Sequence, residues 1–307
     1  MEILGLGGKK KGPGAVAGAQ PIGLSIVVPA YNEKAGCLGV MRQLIATMED
    51  SGLDYEVLVV DDGSTDGTSQ ILSDLEPAIS VIRHQHNRGY GAALKTGIDH
   101  ARYDLIAITD ADGTYPNERL PELYGLMEGQ DMVVGARTGS RVRIPLVRRP
   151  AKWAINLLAN YLARRRIPDL NSGLRIMRRE VLDKYLRLLP DGFSFTTTIT
   201  LAMLTNGHAV HFESIDYEHR AGKSKIRPIY DTLNFIQLII RTSMYFEPLR
   251  VFVPLSVALF TSSLAVLVGS MLFTDRVMDV TTVVLFVSAI QVLATGMIAD
   301  IVDRRLS

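Results

Sequence analysis

Cysteine is nearly absent: Cys37 is the only one in 307 residues. That excludes an internal disulfide framework and a cysteine-built zinc site, and a lone thiol suits a polar region held in a reducing compartment. An excess of charge of one sign is missing too. Lys and Arg number 33 against 32 Asp and Glu, a formal net charge of +1, so no global field argues for nucleic acid as a partner. The first 22 residues lack the continuous apolar core of a secretory signal. They mix Gly, Ala, Pro and Lys9, Lys10 and Lys11, which reads as a flexible, solvated tail with the option of touching anionic lipid. A dinucleotide fingerprint is lacking as well, because Gly5, Gly7 and Gly8 precede any strand, and Gly89 and Gly91 do not complete Gly-x-Gly-x-x-Gly.

Two long stretches lack charge altogether. Residues 251–273 and 280–299 contain no Asp, Glu, Lys or Arg, and each matches the roughly 20 residues a membrane span needs. With 47% hydrophobic residues overall and a mean hydropathy of +0.16, the composition speaks against disorder and against a wholly soluble protein. The connector 274–279 allows only a hairpin turn, so both outer ends share one side of the membrane. Arg241, Arg250, Arg304 and Arg305 flank those ends against Arg276 alone in the turn, which places that side in the cytoplasm. A hairpin buried in a soluble core is the competing reading.

From Leu24 the chain alternates short apolar runs with helix-length segments. Residues 24–29, 55–60, 79–83, 105–109 and 132–134 read as strands, separated by helical stretches at 34–50, 66–76 and 89–102. Wholly apolar short strands between helices predict a parallel sheet covered on both faces, with the ligand beyond the strand C-termini. Further on, 149–166 and 178–189 read as helical, 209–217 as strand-like and 227–247 as amphipathic. Ile229, Leu233, Ile236, Ile239 and Ile240 form the apolar face of that last segment, with Tyr230, Tyr245 and Phe246 near its ends. An interfacial helix and a helix packed on the soluble domain both fit it.

Chemistry is concentrated where strands end. The first runs into Pro29-Ala30-Tyr31-Asn32-Glu33, and the second into Asp61-Asp62-Gly63-Ser64-Thr65-Asp66. Turn and capping chemistry accounts for the Ser-Thr-Asp portion, whereas two adjacent carboxylates call for a donor-rich ligand or a cation. The fourth strand leads into Asp110-Ala111-Asp112-Gly113. On an extended segment, carboxylates at i and i+2 point the same way, and hard oxygen ligands suit Mg²⁺ or Mn²⁺ bridging to substrate phosphates. His84, His86, His208, His211 and His219 show no metal-ligand spacing and read as surface or packing residues. Arg164, Arg165 and Arg166 read as a solvated helix end, with lipid headgroups or an acceptor phosphate as the alternative.

In order, SIVVPAYNE, VLVVDDGSTDGT, HNRGYGAALKTGI, DADGTYP, DLNSGLR and HRAGKSK resemble the family 2 glycosyltransferases of GT-A fold, and among them the dolichyl- or polyprenyl-phosphate sugar synthases. The resemblance spans about residues 24–225. It implies a Rossmann-like, mostly parallel α/β sheet, and that Pro29, Tyr31, Glu33 and Asp62 hold the nucleoside while Asp110 and Asp112 hold the metal and diphosphate. It further implies Arg137 near the phosphates, Asp169, Ser172 and Arg175 at the sugar and acceptor pocket, and Arg220, Ser224 and Lys225 in a basic loop over the diphosphate. The chain departs from the pattern at Thr114, Trp153, Thr196 and Thr198, which leaves the sugar and acceptor details open. No Gln-x-x-Arg-Trp motif of the processive polysaccharide synthases is present.

The implied organisation is a tail at 1–22, a catalytic domain at 23–225, an amphipathic interfacial segment at 226–250 and two membrane helices with a short tail at 251–307. The implied reaction is inverting, metal-dependent transfer of a hexosyl group from a GDP-mannose or UDP-glucose type of nucleotide sugar to a membrane polyprenyl or dolichyl phosphate, possible as a homo-oligomer and on the cytoplasmic face. Competing readings are a catalytically silent membrane-anchored nucleotide-binding scaffold, a glycosyltransferase with another acceptor, and a nucleotidyltransferase. The last would want a glycine-rich phosphate loop after the first strand, and Pro29 to Glu33 contains no glycine.

Overall fold

The computed structural model describes residues 23–139, 157, 159–161, 164–192, 194–217, 237, 240, 244, 247–273 and 279–306. The expected tail, Trp153, Arg220, Ser224, Lys225, most of the amphipathic segment 227–247 and most of the turn 274–279 lie outside the described residues.

The elements run β1 (Leu24–Ala30), α1 (Cys37–Ser51), β2 (Tyr55–Asp61), α2 (Thr68–Ser73), β3 (Ser80–Arg83), α3 (Tyr90–His100), β4 (Leu105–Ile108) and, after a 3₁₀ turn, α4 (Leu120–Gly125) and β5 (Met132–Ala136). Then follow β6 (Arg175–Arg178), α5 (Arg179–Tyr185), α6 (Phe195–Thr205), β7 (Val210–Ser214), α7 (Leu249–Phe273) and α8 (Asp279–Leu306). The strands form a seven-stranded sheet in the order β3-β2-β1-β4-β6-β5-β7. All neighbours pair in parallel except β6, which runs antiparallel to both β4 and β5. The expected mostly parallel sheet is therefore present, with one reversed strand. β6 escaped the sequence pattern because Arg-Ile-Met-Arg is short and charged at both ends, so it carries no apolar run.

Alternation along β1 fixes the two layers. Ile26 and Val28 face a core shared with Met41, Leu44 and Leu120 from α1 and α4, while Val27 faces Leu94 and Ile98 of α3 and Phe195 and Ile199 of α6. Burying each such side chain contributes about 1.5–3 kcal/mol. α6, absent from the sequence-based expectation, is buried over its whole first ten residues; a helix enclosed on all sides shows no amphipathic stripe to read. α3 lies tight against the sheet, since a Cβ on Gly97 would overlap Val27 Cγ1.

The strand order reverses at β1: β2 follows on one side and β4 on the other. Open α/β sheets bind ligands in the crevice outside the strand ends at such a switch point. Here that crevice lies between the residues after Ala30 and those after Ile108.

α7 and α8 pair antiparallel. Ser256 donates to the Ala289 carbonyl and Ser263 to that of Thr282, each at 2.8 Å, so rising numbers on one helix meet falling numbers on the other. Close approach is enforced at Gly296, where a Cβ would strike Phe252. Leu249–Phe273 and Val280–Val302 are long and apolar enough to cross a membrane, and only 11% of each span's apolar window is buried. The reading of a hairpin buried in a soluble core thus fails. At its base, Val251 packs on Ala159, Ile167, Leu170, Leu201 and Leu204, which joins the hairpin to the α/β unit.

Candidate active site

Two loops form one rim of the crevice. Asn32, in the left-handed region at φ 55°, accepts from the Thr65 amide at 2.8 Å, and its own amide donates to Ser64 Oγ at 3.0 Å. The Glu33 amide donates to Thr68 Oγ1 at 3.0 Å and the Lys34 amide to Asp66 Oδ2 at 3.1 Å. The Pro29–Glu33 segment is thereby stitched to the loop after β2. Tyr31 stands out at 45% exposure. Pro29 is instead a buried strand residue opposite Val60. It lies past the end of the β1–β4 ladder, which stops at Val27↔Ile108, so its missing N–H breaks no β4 bond.

The adjacent carboxylates find their donors inside the protein. Asp61 accepts from the Ser64 amide at 3.0 Å and from the Ser69 hydroxyl. Asp62, 3% exposed, accepts from the Arg88 and Gly89 amides at 2.9 and 2.8 Å and pairs with His84 Nδ1 at 2.7 Å. His84 Nε2 reaches Thr96 Oγ1 at 3.0 Å. Two neighbouring acids therefore do not by themselves require a ligand. Asp62 anchors the loop leading into α3, and His84 is a buried partner of that anchor; with no regular spacing, nothing in the sequence marks it.

Across the crevice, the Asp110–Asp112 segment leaves β4 as a turn and not as continuing strand, so the extended i, i+2 geometry expected of the pair is replaced by side-chain bonding. Asp110 accepts from the Tyr90 hydroxyl at 3.0 Å. Asp112 Oδ1 accepts from the Thr114 amide at 3.1 Å and its hydroxyl at 2.6 Å. Thr114 is 1% exposed and serves to orient Asp112. Burial and the Asp110 charge raise the Tyr90 pKa well above its ordinary value, which keeps the hydroxyl a donor. Among the described residues no group of three or more His, Cys, Asp or Glu gathers to hold a metal. Two half-exposed carboxylates suit a hard cation that keeps its other positions for water and phosphate, as Mg²⁺ and Mn²⁺ do.

At the end of β5, Arg137 and Asp169 form a clamp. Arg137 Nε and Nη2 donate to the two oxygens of Asp169, Nη2 also reaches Asn171 Oδ1, and the guanidinium lies 5.2 Å from the Tyr217 ring centre. Burial alone would raise Asp169, but the Arg137 hydrogen bonds and charge outweigh it and hold the carboxyl below its ordinary value. The positive charge expected near the phosphates is thus shared with a carboxylate. Ser172 and Arg175, expected to line the pocket, have no exposed surface. Ser172 Oγ donates to the Gly135 carbonyl at 2.6 Å. Arg175 Nε donates to the Ser172 carbonyl at 3.1 Å, and Nη1 donates to the Thr196 carbonyl at 3.1 Å and Thr200 Oγ1 at 3.0 Å. Burial pushes Arg175 down to about 10, with Tyr90, Tyr115 and Asp169 opposing, so it stays charged at neutral pH. These two residues are buried supports that tie the loop entering β6 to β5 and α6.

A doubly wound sheet with an exposed aromatic on one side of its switch point and two carboxylates on the other has the architecture of a GT-A glycosyltransferase domain. The chain belongs to glycosyl transferase family 2, whose profile matches residues 25–186; the GtrB C-terminal hairpin family matches residues 247–304. It is 33% identical over 233 residues to an undecaprenyl-phosphate 4-deoxy-4-formamido-L-arabinose transferase of Shewanella sediminis, covering 74% of this chain and 68% of that protein. To the protein of the same description from Enterobacter it is 35% identical over 168 residues, covering 53% of this chain and 51% of the relative. The chain thus spans between about half and two-thirds of these relatives' lengths. Among solved structures, the glucosyl-3-phosphoglycerate synthase of Mycobacterium tuberculosis, crystallised with Mn²⁺, UDP-glucose and phosphoglyceric acid, shares the fold at a TM-score of 0.57 and 21% identity, over 72% of this chain and 80% of that one.

Proposed function

We propose that this protein transfers a glycosyl group from a nucleoside diphosphate sugar to a membrane polyprenyl phosphate, with inversion. One observation carries the reading: a carboxylate pair at the switch point of a glycosyltransferase sheet stands in the same chain as an exposed apolar hairpin docked on that sheet's domain. A soluble acceptor leaves such a hairpin without a purpose. The undecaprenyl-phosphate sugar transferases to which the chain is similar support the acceptor class.

Tyr31 would stack on the nucleobase, with Glu33 beside it on the same loop, while Asp62 acts from below by fixing the loop into α3. Asp110 and Asp112 would hold Mg²⁺ or Mn²⁺, and a cation bound there supplies positive charge to the diphosphate that departs. A phosphate monoester is mostly dianionic at pH 7, since its second pKa is near 6, so the acceptor is already a nucleophile and no strong base is needed. Arg137 and Asp169 would face the sugar, and Arg220, Ser224 and Lys225 would close over the diphosphate. The positive residues flanking the hairpin's outer ends support a cytoplasmic side for the catalytic unit.

Incubating the purified full chain with undecaprenyl phosphate and a panel of radiolabelled UDP- and GDP-sugars tests this directly. A lipid-extractable labelled product with one donor is expected. Nucleotide binding without transfer from any donor would leave the scaffold reading in its place.

A further inference from the structure

The stretch Asn87-Arg88-Gly89-Tyr90-Gly91 has no assigned task in the chemistry above, yet its backbone is held on every side. The Arg88 and Gly89 amides donate to Asp62, itself clasped by His84. Gly89 sits at φ 105°, a conformation L side chains rarely adopt. Gly91 is pressed against the Pro190 carbonyl so closely that a Cβ would overlap it, and the Ala92 amide donates to the Asp191 carbonyl at 3.0 Å. Between these two constrained glycines stands Tyr90, whose hydroxyl donates to Asp110 Oδ1 at 3.0 Å.

We infer that Tyr90 is a positioning residue for the Asp110 carboxylate, fixing the orientation in which it meets a divalent cation. The assignment rests on the reading of Asp110 as a cation ligand. Rigidity runs from β2 to β4: Asp62 holds the loop, the loop holds Tyr90, and Tyr90 holds Asp110. Donors that hold a ligating carboxylate are worth about 10–100-fold in metal affinity when removed. The tyrosine also lies at the first turn of α3, on a helix packed tightly on the sheet, so its hydroxyl is placed by the fold and not by a mobile loop.

Tyr90→Phe removes one oxygen and keeps the ring. In the full chain in detergent, Mn²⁺ alone serves as probe, its free fraction read by electron paramagnetic resonance. Y90F is expected to weaken Mn²⁺ binding about tenfold, to raise the KM for Mn²⁺ more than it lowers kcat at saturating Mn²⁺, and to add little further loss in an Asp110→Asn background. Melting with and without Mn²⁺ separates a structural role: that would lower both temperatures and preserve the Mn²⁺-induced shift, whereas loss of positioning shrinks the shift. If D110N loses Mn²⁺ and Y90F binds it like the wild type, the inference is wrong and the Asp110 reading stands. If wild type and D110N bind Mn²⁺ alike, the underlying reading falls first.

Discussion

Arg137 and Asp169 are joined three ways: two guanidinium nitrogens donate to the two carboxylate oxygens at 2.6 and 2.9 Å, and the Arg137 amide donates to Oδ2 at 3.0 Å. The pair ties the end of β5 to the loop entering β6. Because the folded-state pKa of Asp169 is depressed, its contribution to stability is complete above the unfolded value of about 3.9 and is lost as pH falls through the folded one. Arg137→Lys keeps the charge but not the planar fork. It should cost about 1.5–3 kcal/mol at pH 7, with the melting-temperature gap to wild type closing as pH falls through the lowered folded-state pKa of Asp169. A gap that persists at a pH low enough to protonate Asp169 in both folded proteins, as its carboxyl titration reads out, would show that the Asp169 charge is not what the pair contributes.

Arg175 offers a sharper stability test, because its buried guanidinium connects the loop before β6 to α6 through neutral acceptors. Arg175→Met fills much of the volume but takes the guanidinium donors from the Ser172 carbonyl, while the Thr196 carbonyl keeps the Thr200 hydroxyl at 2.7 Å. We expect a loss of about 2–4 kcal/mol in denaturant melts and a sugar-binding defect that follows from the displaced loop. Normal stability combined with lost turnover would move Arg175 back into the reacting pocket.

Legibility followed chemistry type. The β1, β2 and β4 strands were readable because both faces are buried and leave unbroken apolar runs, and their ends carried Tyr31, Asp110 and Asp112 into view. β6 and α6 were not, the first for want of an apolar run and the second for want of a polar face. Asp62, Ser172 and Arg175 were recognisable as motif residues, yet a motif does not tell a residue that touches ligand from one that holds the loop beneath it. That distinction needs the donors of Asp62, which come from His84 at a separation of 22 residues and from the Arg88 and Gly89 amides.

Thr114 and Asp112 separate orientation from charge. Asp112→Asn should abolish turnover supported by Mg²⁺ or Mn²⁺ while leaving the melting temperature nearly unchanged, since the residue is half-exposed at a turn. Thr114→Val, which removes only the hydroxyl donated to Asp112 at 2.6 Å, should reduce turnover by about tenfold and recover partly at high metal concentration. Full activity of D112N with chelator present would exclude the metal role of this carboxylate.

The hairpin should matter for the acceptor and not for the nucleotide. Tyr31, Asp110 and Asp112 lie on a sheet whose two cores are built without α7 or α8, so a chain ending at residue 246 should still bind the nucleoside diphosphate. Among the described residues, the small cluster around Leu201 and Leu204 loses its neighbour Val251, at a cost of about 1–2 kcal/mol, and the Tyr161 hydroxyl loses the Arg250 carbonyl. Transfer to long-chain polyprenyl phosphate in bilayers should fall by about 10²-fold or more, because the hairpin holds the site at the headgroup level and thereby raises the effective concentration of acceptor without touching it. A short, water-soluble prenyl phosphate needs no such tether, and with it the truncated chain should approach the full chain's rate. Rates compared on both acceptors, beside calorimetric nucleotide binding, distinguish the outcomes. Undiminished transfer in bilayers would deny the hairpin its role in acceptor access, and loss of nucleotide binding would make α7 and α8 part of the catalytic fold itself.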